Sequence, residues 1–482
     1  MICTRTFVAD ALTPVRAYAA LRQADPEGAS FLLESVVGGE RWGRYSILGY
    51  RPRYEAILGR AGWTIVRAQG RGGARPDDAA PPSFGRLGDP LAAAESLFRA
   101  TDAREVGNPA AKLARAHVGF LAWDLVHAIE KVPAWSEAES TRHTCPLARF
   151  MGGATIVVFD ALAQTMTVAA DSPNEVDRAL ADLANSPPLP AIALPNRTRV
   201  PANVEVDVDD AAFEAKVRRA QEYIAAGDAF QIVLARTFSV PRQNRDPFSV
   251  YRAMRLINPS PYMYFLDLPG PPGDPERMQI MGASPETLVR LEEGTMTVRP
   301  LAGTRPRGKT EEEDARLEKD LLTDPKERAE HVMLIDLGRN DVGRVAEVGS
   351  VDLCRRMEIE RYSHVMHIVS EVRGKIAPTT PPLEVVRAAF PAGTLSGAPK
   401  VRAMQIIREL EARPRNIYGG AVGYVAKTGD LDFAIAIRAA VCRGDVIEVT
   451  AGAGIVEASV PKSEADETRN KARGVLCAIE AC

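Results

Sequence analysis

Apolar residues recur along the chain with two different periods, and the switches between them mark its elements. In "DDAAFEAKVRRAQEYIAAGD" (209–228) Phe213, Val217, Ala220 and Ile224 share one side of a 3.6-residue repeat. The pattern predicts an amphipathic helix with Asp at its start and Gly227 at its end. The next run, "AFQIVLARTFSV" (229–240), predicts a strand. "MQIMGASPETLVRLEEGTMTVRPLAGT" (278–304) predicts antiparallel strands joined by tight turns. "IYGGAVGYVAKTGDLDFAIAIRAAVCRGDVIEVTAGAGIV" (417–456) predicts a three-stranded meander, turning at "KTGD" and "CRGD". Strands joined by such short turns must run antiparallel, because parallel pairing needs a long crossover. Helices and hairpins segregate, which gives an α+β class.

The clearest seam is "ANSPPLPAIALPNRTRVPANVEVD" (184–207), rich in proline and without apolar periodicity. It divides the chain into an N-terminal region (1–190), a linker (191–208) and a longer C-terminal region (209–482) that holds the dense motifs. Before the seam, strand-like "GATIVVFDALAQTMTVAAD" alternates with helical "DPLAAAESLFRAT". "GRAGWTIVRAQGRGGARPDDAAPPSFGRLGDP" (59–90) predicts a strand followed by a loop. No internal repeat is visible in the sequence.

Composition narrows the partners. Lys and Arg total 60 against 63 Asp and Glu, so there is no electrostatic case for nucleic acid or an anionic membrane. The 482 residues, 46% hydrophobic, bury a large core without cross-links. Six cysteines are scattered without CxxC or zinc-type spacing, which fits reduced thiols and a cytoplasmic protein. No leader pattern and no membrane-spanning apolar run is apparent.

Candidate chemistry begins with two acidic pairs of equal spacing. Asp324 and Pro325 predict a helix start that places Glu327 in a capping-box position, with Glu330 one turn on. Ser463 is expected to cap the last helix, with Glu464 first and Glu467 one turn on. Either pair alone fits a solvated face that favours the helix dipole. If the two starts converge, the carboxylates repel unless a hard divalent cation such as magnesium lies between them. "FPAGTLSGAPK" (390–400) is expected to be a loop feeding a helix, and "TAGAGIV" brings Gly452 and Gly454 to the end of a strand. Arg438 sits in the apolar "AIAIRAAV", where its guanidinium needs a carboxylate from the protein or from a ligand. His364 and His367 lie three apart, a spacing open to metal, structural or acid–base roles. Together these residues suit a small molecule carrying more than one carboxylate.

The motifs "LLES", "NPSPYMYF", "GASPETLV", "RPLAGTRPRG", "ERAEHVMLIDLGRNDVGRV", "YSHVMHIVSEV", "FPAGTLSGAPKVRAM", "YGGAVGY" and "PKSEADETRNKARGV" run in order from about residue 32 to the C-terminus. On these the chain resembles the chorismate-utilising enzymes, and within them the anthranilate synthase component I group. The resemblance implies two stacked antiparallel sheets with helices outside, a large chorismate-binding domain and a smaller N-terminal regulatory subdomain. It implies that Glu330 and Glu467 hold Mg2+, with Glu327 and Glu464 in support, and that the ion binds the ring carboxylate of chorismate. Tyr418, Arg438 and the stretch Gly452, Ala453 and Gly454 match groups around the enolpyruvyl carboxylate, and Gly303 and Thr304 match another substrate-contacting pair. His367 matches a residue near the departing C4 hydroxyl, donating a proton to it or orienting that step, and Thr394 matches a neighbour in that pocket. Ser35, Pro261, Tyr262 and Met263 match a feedback pocket for tryptophan.

Relatives that make other products carry a lysine where this chain has Ala302, or one where it has Gln231. With both lysines missing, the resemblance implies ammonia as the nucleophile and anthranilate and pyruvate as products. No cysteine here has the Gly-rich neighbourhood of a glutamine amidotransferase nucleophile, so a separate amidotransferase subunit is expected to supply the ammonia. The alternatives are an aminodeoxychorismate-forming enzyme and a non-catalytic scaffold subunit.

Overall fold

A computed structural model describes residues 2–35, 44–67, 89–98, 109–113, 116–136, 139, 145–186, 188–271, 273–362 and 365–482. The loop expected after residue 67 and His364 lie outside these described residues.

The first half opens with β1 (Cys3–Val8), α1 (Pro14–Ala24), β2 (Ser30–Glu34), β3 (Tyr45–Tyr50), β4 (Tyr54–Gly59) and β5 (Gly62–Arg67). Short helices α2 (Pro90–Ala93), α3 (Glu95–Phe98) and α4 (Pro109–Leu113) precede β6 (His117–Leu121) and α5 (Val126–Ile129). It closes with β7 (Ala148–Gly152), β8 (Thr155–Asp160), β9 (Thr165–Ala170) and α6 (Pro173–Ala184). The second half begins with β10 (Glu205–Val206), α7 (Asp210–Ala225), β11 (Gln231–Pro241), α8 (Pro247–Ile257), β12 (Tyr262–Leu268) and β13 (Met278–Ser284). There follow β14 (Thr287–Glu292), β15 (Thr295–Val298), β16 (Leu301–Pro306), α9 (Glu311–Thr323), α10 (Pro325–Gly343), β17 (Asp352–Arg361) and β18 (Val365–Lys375). Then come α11 (Pro382–Ala389), α12 (Gly393–Ser396), β19 (Gly397–Ala398) and α13 (Lys400–Leu410). The chain ends with β20 (Ala421–Val425), β21 (Leu431–Ile435), β22 (Ala439–Arg443), β23 (Val446–Ile455) and α14 (Pro461–Glu480).

Two antiparallel sheets result. The first has the order β1-β9-β8-β3-β2-β12-β13-β22-β23-β11-β10, with β19 on β11. The second has the order β16-β18-β15-β14-β21-β20-β6-β7-β4-β5, with β17 on β18. Both orders are palindromes about a central junction, β2/β12 in one and β6/β20 in the other. Strands β1 to β5 and β6 to β9 thus have counterparts in β11 to β15 and β20 to β23, with α1 matching α8 and α6 matching α14. The second half adds the segment from β16 to α13. The repeat is one of topology, carried by the order of apolar runs, which is why no residue-level repeat is legible.

Side-chain alternation along each strand feeds two cores at once. In β12, Met263 and Phe265 pack outward against Phe248 and Tyr251 of α8, beside Val475 and Leu476 of α14. Tyr264 and Leu266 point inward, to the layer shared with Phe120 of β6 and Val422 of β20. Burial on both faces explains why "YMYFLDL" reads as a continuous apolar run. The outer face of the second sheet, with Phe150, Val289 and Phe433, is covered by Leu91, Phe98, Leu383 and Val386 from α2, α3 and α11. The seam packs Leu189 and Ile192 against the helices of the first sheet.

Three local expectations change. The 417–456 stretch is two hairpins: β20–β21 lies in the second sheet and β22–β23 in the first. The chain changes sheets between Ile435 and Ala439, and Arg438 stands there in the left-handed region at φ 48°, outside any strand. The strands after Met278 likewise divide, β13 in the first sheet and β14 in the second, passing over at Pro285 and Glu286. The last helix starts two residues earlier than Ser463: Pro461 fixes the first helical φ, and Val460 precedes it without a side-chain cap.

Two buried polar ties fix the acidic helices to different sheets. His331 of α10 bonds through Nε2 to Ser370 Oγ of β18 at 2.7 Å. Arg236 of β11, its side chain 1% exposed, donates to Thr468 Oγ1 at 2.8 Å, to the Ala465 carbonyl at 2.8 Å and to Asp210 at 2.8 Å. Removing it strands the buried Thr468 hydroxyl and Ala465 carbonyl of α14. Arg236→Leu is expected to lower unfolding free energy by about 3 kcal/mol. Chemical denaturation checks this; a loss within error of zero would remove the tie from the account of α14.

Candidate active site

Helix α10 begins at Asp324, whose carboxylate accepts from the amides of Lys326 and Glu327 at 2.9 and 3.2 Å, with Pro325 in the first position. Helix α10 packs on β16 and β18 of the second sheet; α14 packs on β23 of the first. Their N-termini nonetheless meet. Glu327, Glu330, Glu464 and Glu467 line one cavity of about 790 Å³.

The electrostatics record this convergence. Burial pushes the Glu330 carboxyl up, and Glu327 pushes it further, while a Gln231 hydrogen bond and the charges of Lys326 and Lys471 pull it down. Burial likewise raises Glu464, opposed by Ser459, and the charge of Glu467 adds to the rise. Lys326 on α10 thus acts on Glu464 of α14, and Lys471 on α14 acts on Glu330 of α10. Arg305 holds the outer member, donating to Glu327 at 3.3 Å and to Asp324 at 2.8 Å. Lys471 pairs with Glu467 at 2.6 Å and donates to the Gly452 carbonyl at 3.1 Å.

The donors are hard oxygens, and the two raised carboxyls are ones a cation would pull back to their charged form. Among the described residues no three His, Cys, Asp or Glu are grouped closely enough to cage an ion unaided. Hard carboxylate oxygens of this kind are the donor chemistry a magnesium-type cation takes, with water and an anionic ligand completing its shell.

The cavity continues into an inner lobe of about 210 Å³ lined by Tyr418, Ala302, Glu286 and Gly452, sharing Gln231, Thr304, Glu330, His367, Thr394, Arg438 and Gly454 with the outer part. Both sheet-changing crossovers open here, Pro285–Glu286 and Ile437–Arg438. The Arg438 side chain makes no hydrogen bond or ion pair with any described residue. Burial lowers its pKa, and the charge of Glu286 opposes this. A desolvated guanidinium facing a cavity is a receptor for a carboxylate ligand.

His367 of β18 bonds through Nδ1 to the Gly303 carbonyl at 2.9 Å and lies 3.1 Å from Thr304 Oγ1. A carbonyl only accepts, so Nδ1 carries the proton and Nε2 is the free lone pair in the neutral ring. Burial lowers the ring's pKa, the Gly303 bond raises it and the Arg438 charge lowers it further. Gly303 itself has φ 66°, and a Cβ there would come within 2.9 Å of Leu321 and 3.1 Å of Glu327. Gly452 leaves space for Tyr418, whose hydroxyl would lie 2.7 Å from an added Cβ. Ala453, between the two glycines, faces away from the cavity and packs with Leu234 in the core, as strand alternation requires.

Two cavity residues escaped notice in the sequence. Glu286 is buried, which pushes its carboxyl up to about 8; Thr394 Oγ1 donates to it at 3.1 Å and, with Arg438, opposes that rise. It lies inside "GASPETLV", but nothing local separates a buried glutamate from a strand-edge one. Lys471, one turn beyond Glu467, carries a helical spacing signal that was open to view.

A second cavity of about 150 Å³ lies between the sheets, lined by Ser35, Tyr45, Pro261, Tyr262, Met263, Tyr264, Arg290, Tyr424 and Asp432, among others. Ser35 Oγ and Tyr264 Oη are buried there without a hydrogen-bond partner among the described residues. Pro261 lines both this cavity and the large one.

Residues 73–476 match the family described as chorismate binding enzyme. The chain is 38% identical over 493 residues to the Acetivibrio thermocellus protein named anthranilate synthase component 1, covering 99% of this chain and 94% of that one. It is 58% identical over 268 residues to the Aquifex aeolicus (strain VF5) protein of the same name, 56% of this chain and 53% of that one. Its fold superposes on the crystal structure of anthranilate synthase component I from Streptococcus pneumoniae TIGR4 with a TM-score of 0.74, at 33% identity, covering 98% of this chain and 99% of that one. The cavity with its unpaired arginine and converging glutamates thus lies in a chain that belongs to the chorismate-binding enzyme family.

Proposed function

We propose that this protein is the chorismate-aminating component of an anthranilate synthase, turning chorismate and ammonia into anthranilate, pyruvate and water. One observation carries the reading: Arg438, without a hydrogen bond or ion pair among the described residues, faces a cavity whose other wall is two glutamate pairs. That arrangement is built for a substrate with two carboxylates. Arg438 takes the enolpyruvyl carboxylate, beside Tyr418 and the Gly452 and Gly454 backbone. Glu330 and Glu467 hold magnesium, with Glu327 and Glu464 behind them, and Gly303 and Thr304 border the substrate. When bound, the ion neutralises the ring carboxylate that the glutamates alone would repel.

In the reaction ammonia bonds to C2 as the C4 hydroxyl leaves with a proton; pyruvate is then eliminated and the ring becomes aromatic. Neither Ala302 nor Gln231, both in the inner lobe, can act as a nucleophile or base, which supports an external amine. The group best supplied with a proton at neutral pH is Glu286, and Thr394 orients it. His367, neutral and with Nδ1–H held by Gly303, fits the orienting role and presents Nε2 as an acceptor. Burial pushes the thiols of Cys145, Cys442 and Cys477 up, so none is a ready thiolate, and a separate amidotransferase subunit fits as the source of ammonia from glutamine. The second cavity, with aromatic walls and both Arg290 and Asp432, suits an aromatic amino acid, and we assign it to tryptophan as inhibitor.

The test is fluorescence of anthranilate from chorismate, magnesium and ammonium salt. Product should accumulate; a folded protein that stays silent would sink the reading in favour of a scaffold role. Glu330→Gln should lower kcat/KM about a thousandfold with the thermal midpoint retained. Normal turnover in that variant would refute the ligand assignment.

The acid side of the profile follows from His367 and the alkaline side from Glu286. A raised carboxyl acts as an acid only below its pKa, so kcat/KM should fall as pH rises through about 8, and Glu286→Gln should abolish turnover. A lowered imidazole is neutral above its pKa, so the acid limb should lie below the ordinary histidine value. An alkaline limb unchanged by Glu286→Asp would exclude Glu286 as the acid. Ser35→Arg should fill the second cavity and weaken tryptophan binding by calorimetry at least about tenfold; unchanged binding would remove Ser35 from the pocket.

A further inference from the structure

We infer that Tyr262 clamps the crossover that carries Glu286 into the catalytic cavity, and so acts as a positioning residue for the chemistry. The kinetic consequence rests on the function proposed above; the clamp itself does not.

The crossover is two residues long. Strand β13 ends at Ser284 in the first sheet, β14 starts at Thr287 in the second, and Pro285 and Glu286 span the gap. Tyr262 holds both ends. It stands directly opposite Ser284 in the β12–β13 ladder. Its hydroxyl crosses to the other sheet, donating to Asp432 Oδ1 at 3.0 Å and accepting from Thr287 Oγ1 at 2.9 Å. The turn between is closed by the Ser284 hydroxyl, 3.3 Å from both the Glu286 amide and the Glu286 carbonyl. That carbonyl also accepts from the Ile435 amide at 3.0 Å. The backbone of Glu286 is therefore gripped by groups whose spacing depends on where the Tyr262 ring stands. A hydroxyl satisfied on both sides is stiff, and losing it removes one hydrogen bond each from Thr287 and Asp432.

The side chain of Glu286 gains one further hold, from Thr394. Release of the crossover would displace its carboxyl from the reacting atoms, and displacements near 1 Å cost rate far more than binding. The same ring lines the second cavity, and the adjoining Pro261 lines both. A ligand entering the second cavity therefore meets the Tyr262 ring.

The test uses the full chain and two variants, Tyr262→Phe, which keeps the ring, and Thr287→Val, which removes the acceptor's partner. Amide hydrogen exchange in peptides covering 284–288 should rise about tenfold in both, with exchange elsewhere and the denaturation midpoint little changed. With chorismate and ammonium as substrates, kcat should fall about tenfold while KM for chorismate stays within about threefold. The double variant should be no slower than the worse single one. Wild-type exchange at 284–288 in Tyr262→Phe overturns the clamp. So does a rise in exchange spread evenly over the chain, which would mark Tyr262 as ordinary core. If the unaltered protein makes no anthranilate, the proposed function fails, and the exchange measurement still decides the clamp.

Discussion

Four carboxylates from two helices anchored on different sheets line one cavity, and the convergence of those two helix starts is the constraint on which the rest of the site depends. Nothing in either helix requires the other. Helix α10 is tied to the second sheet through His331 and Ser370, and α14 to the first through Arg236. Each tie is a buried hydrogen bond that leaves a costly orphan if broken. The anchors sit in buried core directly beside the carboxylates, His331 next to Glu330 and Thr468 next to Glu467, and so fix where each helix start stands. Burial raises the Glu330 and Glu464 carboxyls, and the neighbouring glutamate on each helix adds to the rise.

The opposite wall of the cavity owes its chemistry to places where the chain leaves one sheet for the other. At such crossings the backbone is excluded from either ladder, so side chains there are free to face a gap. Arg438, in the left-handed region, and Glu286, two residues from the end of β13, both arise this way. The equivalent crossings in the first half, near Arg51 at φ 50° and Gly153 at φ 67°, face no such cavity lining. There Arg53 is spent on Asp171 and Glu175, the latter in the first turn of α6, the counterpart of α14. The difference follows from the segment between β16 and α13, which supplies Gly303, Thr304, the α10 glutamates, His367 and Thr394.

Much of the site was legible because its residues occupy motifs with fixed local geometry. The α10 start was readable from Asp324 and Pro325, since a cap and a helix-favouring φ act within four residues. The α14 start lies three residues before the expected one, Pro461 rather than Glu464, because a proline at the first position outweighs a serine cap that lies inside the turn. Arg438 read as a strand residue because apolar runs continue on both sides of it; the period gives no sign that the sheet has changed. Ala453 was grouped with its glycine neighbours by proximity in sequence, while strand alternation sends it to the opposite face.

The amino-acid order alone determined most helix and strand positions, the α10 cap, the absence of lysine at positions 231 and 302, and the family to which these motifs point. Those are local properties, set by backbone preference and side-chain identity. Tertiary structure decided that the acidic pairs meet, that Arg438 has no hydrogen bond or ion pair among the described residues, that burial raises the Glu286 carboxyl, and that Tyr262 spans two sheets. Each of these depends on distances between residues far apart in the chain, and such distances exist only once both sheets are packed.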